Sequence, residues 1–313
     1  MIHWGVNALN HEHGIAVFKD NRFIDNYVGQ HDQISRLNID LSFEHGIPDR
    51  IFWYENPWIK KIRQIYAGQY NRAFDFSVLP KNYMNLYTAA PITYTSHHAS
   101  HAAAGYYTSP FSNCAIVVLD AIGEFECATI WQAKHDELHK VWSRSYPNSL
   151  GLFYSAFTKL VGHTPIKDEY LLQNMAELGD STRYYNLVLT YMNGLIQSQK
   201  NLHRGISDWP YEIKNLQDKC DIAAAVQRVF EIQIESVMIK AKQLTDSDSL
   251  VYMGGCAMNS KTNKDIVEPM WKYIWSLPNP GDESSGIGAV LYHTKHRVSD
   301  HQWNSVKHIT IKV

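Results

Sequence analysis

Three histidines fall within five positions in SHHASHAAAGYYTSPF, residues 96–111, and run straight into an alanine-rich segment. Alanine favours helix, and residues four apart on a helix project from one face. His97 and His101 therefore stand close enough to share one metal ion. His98 points about a third of a turn away. Imidazole suits zinc, iron and other ions, so the pair does not select a metal; a histidine cluster divided between core and solvent has the same spacing. A second place for chemistry is LDAIGEFE, residues 119–126, where an apolar run ends at Asp120, small residues follow, and Glu124 adds a carboxylate. Backbone N–H groups in such a turn can approach a phosphate while Asp120 holds a cation or a water. A tight β-hairpin explains the same letters. In VYMGGCAMNSKTN a strand-like run meets Gly254 and Gly255 before a helix start, as where backbone passes close to a nucleotide. Asp282 lies in the Gly/Pro turn of PNPGDESSGIGA, before a helix containing Gly286 and Gly288. That setting suits an ion or phosphate, and equally an ordinary capped helix.

Strand-like and helix-like segments alternate around these residues. GIAVFKDNRFIDNYV reads as a hairpin turning at Lys19–Asn21. IFWYENPWIKKIRQIYA starts as a strand, breaks at Pro57 and continues as an amphipathic helix. Ala115 to Leu119 is a fully buried strand, with a second from about Cys127 to Gln132. SLGLFYSAFTKLVGH has helical spacing, and DIAAAVQRVFEIQIESVMIKAKQL is a long helix with Asp221 placed for its N-cap. No Pro/Ser-rich linker and no internal repeat is visible. The pattern predicts an α/β fold with mixed sheets, in two packed lobes at 1–147 and 148–313.

Composition narrows the class. The 313 residues are 45% apolar and 19% charged with a formal charge of −2, which excludes coating nucleic acid or anionic membrane by bulk charge. The N-terminus lacks a basic and apolar leader, and no eighteen-residue apolar run occurs, so no membrane partner is expected. Four cysteines stand far apart with no C-x-x-C pair, as in a reduced cytoplasmic protein.

Eight segments in order resemble the O-carbamoyltransferase family, which includes enzymes of nodulation-factor and aminoglycoside biosynthesis. They are NHEHGIAVF, FWYENPWIKKIR, HHASHAAAGYYTSPF, VVLDAIGE, SLGLFYSAFTKLVGHTPIKDEY, DIAAAVQRVFE, LVYMGGCAMNSKTN and PNPGDESSGIGAVLY. The match is to the family's N-terminal catalytic domain, which is related to the threonylcarbamoyladenosine transferases and implies a two-lobed actin/hexokinase-like (ribonuclease H-like) fold. The resemblance implies a metal, usually Fe2+, held by His97, His101 and Asp282, with His98 as an accompanying histidine. It implies that the nucleotide of carbamoyl adenylate lies against Gly254, Gly255 and Asn259, that the phosphate-side turn is Asp120, Gly123 and Glu124, and that Glu169 is the acid of the central loop. His11 and Glu12 match a His-Asp pair bordering the reaction site.

That resemblance predicts an enzyme moving a carbamoyl group, derived from carbamoyl phosphate and ATP, to an acceptor hydroxyl. The metal would polarise the carbonyl, with His11 or His98 as base. Three positions depart from the family pattern: Ala121 and Asn174 replace glycines, and Leu171 replaces a lysine. Relatives in antibiotic biosynthesis carry a second, adenylate-forming domain; the chain ends about twenty residues after Tyr292, which leaves two expectations open, a separate partner enzyme supplying the adenylate or use of carbamoyl phosphate by this domain in another way. For the acceptor, hydroxymethylated DNA, a sugar and a small molecule all stay open. Lys60, Lys61, Arg63 and Arg72 interleave with Trp53, Tyr54, Trp58, Tyr66 and Tyr70, and residues 199–219 form a second basic, aromatic stretch. Two other functions stay open, a catalytically idle nucleotide-binding subunit and tRNA threonylcarbamoyl transfer.

Overall fold

The computed structural model describes residues 1–9, 13–29, 34–84, 88–298 and 310–312. The first lobe runs β1 (Ile2–Asn7), β2 (His13–Lys19), β3 (Arg22–Gly29), α1 (Ile34–His45), β4 (Arg50–Trp53) and α2 (Pro57–Tyr66). Short α3 (Tyr70–Ala73) and α4 (Pro80–Met84) follow, then β5 (Ile92–Tyr94) and α5 (His97–Thr108). The second begins with a meander, β6 (Asn113–Gly123), β7 (Glu126–Lys134) and β8 (Glu137–Ser145). After it come α6 (Leu150–Leu160), α7 (Glu169–Ala176), α8 (Tyr185–Leu189), the small ribbon β9 (Met192–Asn193) and β10 (Gln197–Ser198), and α9 (Leu216–Thr245). Next are β11 (Ser249–Met253), α10 (Ser260–Thr262) and α11 (Glu268–Met270) flanking a π-helical turn, β12 (Tyr273–Ser276), α12 (Ser285–Thr294) and β13 (Thr310–Lys312).

The two sheets repeat one plan. The first has the order β3-β2-β1-β4-β5, an antiparallel meander whose first strand pairs in parallel with β4, which in turn pairs with β5. The second runs β8-β7-β6-β11-β12 with the same directions, and β13 adds antiparallel at its end. The duplication is topological, with no matching repeat in the residues. The expected division at 147 falls between β8 and α6, whereas the sheets divide between β5 and β6; strands from both sides of 147 share the second sheet.

Alternation along β6 joins the lobes. Ile116 and Val118 face the core shared with the first sheet and α5, while Ala115, Val117 and Leu119 face α6 and α9. The last helix returns to the first lobe. A Cβ on Gly5 would stand 1.9 Å from the carbonyl oxygen of Gly286, and one on Gly288 would stand 1.7 Å from that of Ser100. Gly286 and Gly288 thus let α12 lie against β1 and α5, a packing role in place of the phosphate setting read from sequence.

The hairpin turn is as expected, with Asp20 and Asn21 both at positive φ (51° and 62°). The cap of α9 differs. Asn215 accepts the Asp218 N–H at 2.9 Å, and Asp221, a turn further in, is bound by Arg183 at 2.8 Å. The surprise is α2. Its Asn56 cap accepts the Trp58 N–H at 3.0 Å, and then Trp58, Ile62 and Tyr66 face solvent while Lys61, Arg63 and Gln64 are buried. No helix among the described residues is long and apolar enough to cross a membrane.

Candidate active site

Helix α5 starts immediately after β5, and its first turn points His97 and His101 at the end of β6. There the imidazoles meet two carboxylates from distant parts of the chain. His97 Nε2 lies 3.0 Å from Asp120 Oδ2 and 3.3 Å from Asp282 Oδ1; His101 Nε2 lies 3.2 Å from Asp282 Oδ1 and 3.1 Å from His97 Nε2. All four donor atoms fall within 4.8 Å of one another. Asp120, assigned from sequence to the phosphate-side turn, is thus a fourth member of the metal-type cluster. Sequence had shown it only as a strand-end acid able to hold a cation. The parallel neighbour β11 and the turn after β12 bring Asp282 to it across 162 residues.

The set suits a divalent first-row ion. Metal–nitrogen and metal–oxygen bonds of roughly 2.0–2.2 Å place ligand atoms about 3 to 4.4 Å apart, so a spread of 4.8 Å needs to close by only about 0.4 Å around an ion. Two imidazoles whose ring Nδ1 atoms are buried without partners among the described residues leave Nε2 as the working atom of each. Burial works against a charged His97, but Asp282 and then Asp120 outweigh it and push the imidazole up to about 9. Burial raises both carboxyls; the His97 hydrogen bond to Asp120, and the His97 charge and His101 hydrogen bond at Asp282, outweigh it and hold them below the usual range.

Gly123 fits against the cluster: a Cβ there would stand 2.0 Å from His97 Cδ2. Glu124 follows at φ 56° and accepts the Asn56 N–H in a short hydrogen bond. Burial pushes its carboxyl up to about 7, against the Asn56 bond and the charge of His97. Ala121 is free of the strain its replacement of glycine could bring, because it is extended within β6; the close approach there is made by Gly151, whose Cβ would stand 2.7 Å from Ala121 Cα.

A cleft of about 950 Å³ opens over the cluster, with walls from both lobes. Asp120, Glu124, Glu169, Gly255, Asn259 and Asp282 all line it, so these six of the residues singled out from sequence share one space. Gly254, at φ 93°, gives its N–H to the carbonyl of Pro280 at 2.8 Å and so ties the glycine turn to the Asp282 turn. Asn259 accepts the Thr262 N–H at 3.0 Å and bonds the Tyr154 hydroxyl and Gln227. Glu169 accepts from the Ser155 hydroxyl and the Ile166 N–H, both at 2.6 Å.

Other expectations land elsewhere. His98 is fully buried and does not line the cleft; its Nδ1 lies 2.9 Å from Thr129 Oγ1, which also accepts the Trp131 indole N–H at 2.8 Å. Burial and then the charge of His97 hold its imidazole neutral. A fully enclosed ring has no path to an acceptor hydroxyl, so the surroundings of His98 are those of a core histidine, in contrast to the base expected from sequence. Leu171 and Asn174 lie on helical α7 and line a separate small pocket, so neither departure touches the main cleft. His11 and Glu12 lie outside the described residues. Sequence reading gave Arg63 and Arg72 only as part of a basic, aromatic stretch; both line the cleft, together with Lys159 and Arg204.

Comparison with known proteins gives the family and the fold. The sequence model of the carbamoyltransferase N-terminus matches residues 6–291. An uncharacterized Synechocystis protein, sll1178, is 27% identical over 92% of the chain and 56% of its own length. Nodulation protein NolNO of Sinorhizobium fredii is 25% identical over 64% of the chain and 31% of its own length. The chain thus spans little more than half the length of the first of these curated relatives, and less of the second. Among solved structures, Lmo2764 from Listeria monocytogenes superposes with a TM-score of 0.51 at 10% identity, covering 94% of this chain and 99% of that one. The likeness shows the fold, the two-lobed actin/hexokinase-like α/β architecture with mixed sheets. The chain belongs to the carbamoyltransferase family, and residues 6–291 are its N-terminal domain.

Proposed function

We propose that this chain moves a carbamoyl group from carbamoyl adenylate to an acceptor hydroxyl in the cleft between its lobes. The observation that carries the proposal is the convergence of His97, His101, Asp120 and Asp282 within 4.8 Å, in a member of the carbamoyltransferase family. These four residues would hold a divalent ion, iron among the candidates. When bound, the ion supplies Lewis acidity to the carbamoyl carbonyl.

The chain's own residues do the rest. Gly255 and Asn259 offer a surface for the nucleotide of the donor, and the Gly255 N–H already reaches Asp120 Oδ1 at 3.4 Å. Glu124, on the cleft with its carboxyl near 7, is poised to take the proton from the acceptor hydroxyl as that oxygen bonds to the carbamoyl carbon and adenylate departs. The assay gives the purified chain synthetic carbamoyl adenylate, and separately carbamoyl phosphate with ATP. Its panel holds sugars, hydroxymethyl nucleosides and hydroxymethylcytosine DNA, and products are read by mass. A carbamoyl ester formed from the adenylate supports the proposal. Turnover only with the adenylate assigns donor synthesis to a partner enzyme; no ester with any acceptor, from folded and metal-loaded protein, refutes it.

A further inference from the structure

A second group of charged side chains lines the same cleft. Arg63 sits on the inward face of α2, is 6% exposed, and gives one guanidinium N–H to Gln69 Oε1 at 2.8 Å, while its Nε–H has no partner among the described residues. Gln69 Nε2 meets His203 Nε2 of the second lobe at 3.3 Å, and His203 Nδ1 is likewise buried without a partner among the described residues. Arg204 reaches back across the lobes: a Cβ on Gly68 would stand 3.5 Å from its Nη2. Burial, then Arg63, Arg72 and Arg204 in turn, depress the His203 imidazole, so three guanidiniums crowd one place. Lys159 adds a further cation, its Nζ 3.7 Å from where a Cβ on Gly205 would lie.

Among the described residues no carboxylate forms an ion pair with Arg63, Arg72, Arg204 or Lys159. The acids on this wall have other partners: Glu55, whose charge also favours the charged Arg63, pairs with Lys60 at 2.5 Å, Asp75 accepts the Ser77 N–H at 3.0 Å, and Glu124 accepts from Asn56, which leaves one shared carboxylate against the clustered cations. Like charges gathered around a buried guanidinium are unfavourable unless an anion joins them. Arginine forks match phosphate oxygens in pairs.

We propose that this cluster holds a phosphate monoester carried by the acceptor, so that the hydroxyl receiving the carbamoyl group belongs to a nucleotide or a sugar phosphate. The acceptor role of this ligand rests on the carbamoyl-transfer reading; the anion site does not. At about 950 Å³ the cleft is at the upper end of small-molecule sites, roughly 300–1,000 Å³, with room for a second ligand beside a donor nucleotide at Gly255 and Asn259.

The test is calorimetric binding to the metal-loaded full chain of probe pairs that differ only by phosphate. They are 5-hydroxymethyldeoxycytidine with its 5′-monophosphate, and glucose with glucose 6-phosphate. A single-stranded oligonucleotide carrying hydroxymethylcytosine and a nonreactive sulfamoyl analogue of carbamoyl adenylate complete the set. The phosphorylated member of at least one pair is expected to bind roughly 10-fold or more tightly. That preference should fall below about 2-fold in the Arg72→Gln/Arg204→Gln variant, whose two altered side chains are exposed. The sulfamoyl analogue should not displace the phosphorylated probe. No preference in either pair overturns the inference. Displacement by the analogue assigns the cluster to the donor and also overturns it, as does tight binding of the oligonucleotide alone. Because the readout is binding, a failure of carbamoyl transfer strikes the activity and leaves this result standing.

Discussion

Replacing Gly123 by alanine tests how closely the metal-type cluster is built. The new Cβ would stand 2.0 Å from His97 Cδ2, 2.3 Å from Cγ and 2.8 Å from Cβ, where ordinary contact begins at 3.4 Å. The imidazole must therefore retreat by about 1.4 Å. His97 is 1% exposed, with the rings of Tyr54, His98 and His101 at centroid distances of 5.4, 5.8 and 4.8 Å, so little space is free behind it. A misplacement of about 1 Å at a working centre lowers its performance on the order of 100-fold. Overpacking itself destabilises by about 1–3 kcal/mol. The expected outcome is metal affinity reduced roughly 100-fold, with the fold kept and Tm lowered by several degrees. Titration of metal-stripped protein with Mn²⁺ or Zn²⁺, beside a melting curve, reads both quantities. Gly46→Ala is the control, since Gly46 has φ 94° and lies in the loop before β4. It should lower Tm with no effect on metal. A Gly123→Ala protein that binds metal with wild-type affinity would refute the reasoning about the cluster's tightness.

Three further outcomes follow from the same geometry. Asp120→Asn and Asp282→Asn should each weaken metal binding at least 10-fold, by titration; an Asp120→Asn protein with unchanged affinity would return the set to three residues. His98→Gln should keep turnover within a few-fold while lowering Tm, because His98 is fully buried and bonds into the core at Thr129; full loss of turnover with normal metal content would restore it as a base. Glu124 has a folded pKa of about 7 against an ordinary 4.5, so its contribution to stability is intact below about 4.5 and is lost as pH rises to about 7. Chemical unfolding of Glu124→Gln should show a flatter profile across that window, by up to about 3 kcal/mol; an unchanged slope contradicts the shift.

Local signals carried much of the fold. Asp20 and Asn21 announce their hairpin because few residues tolerate positive φ. Pro57 marks the start of α2 because proline suits a first helical turn. The His97 and His101 pair was legible because four-residue spacing is a property of the helix itself. What was not legible depends on distant neighbours. Asp120 and Asp282 meet only because the second sheet brings the ends of β6 and β12 together, and spacing along the chain carries no trace of that. Apolar periodicity in α2 gives a stripe but not its direction; the helix presents its polar stripe to a charged cleft, so Trp58 and Ile62 are the exposed side. Asp221 lost the cap of α9 because the helix begins earlier, in a polar turn that periodicity does not reveal. The duplicated sheet plan is set by backbone connection and leaves no residue repeat.

The most direct measurement is a reconstitution. Metal-stripped wild type, the same protein reloaded with a divalent ion, and His101→Ala are each given carbamoyl adenylate and the acceptor panel, and carbamoyl ester is quantified by mass. Ester is expected from the reloaded protein alone, with His101→Ala folded and inactive at every metal concentration tried. Equal ester formation by the stripped protein or by His101→Ala would show that the reaction, if it occurs in this cleft, does not use the cluster of His97, His101, Asp120 and Asp282.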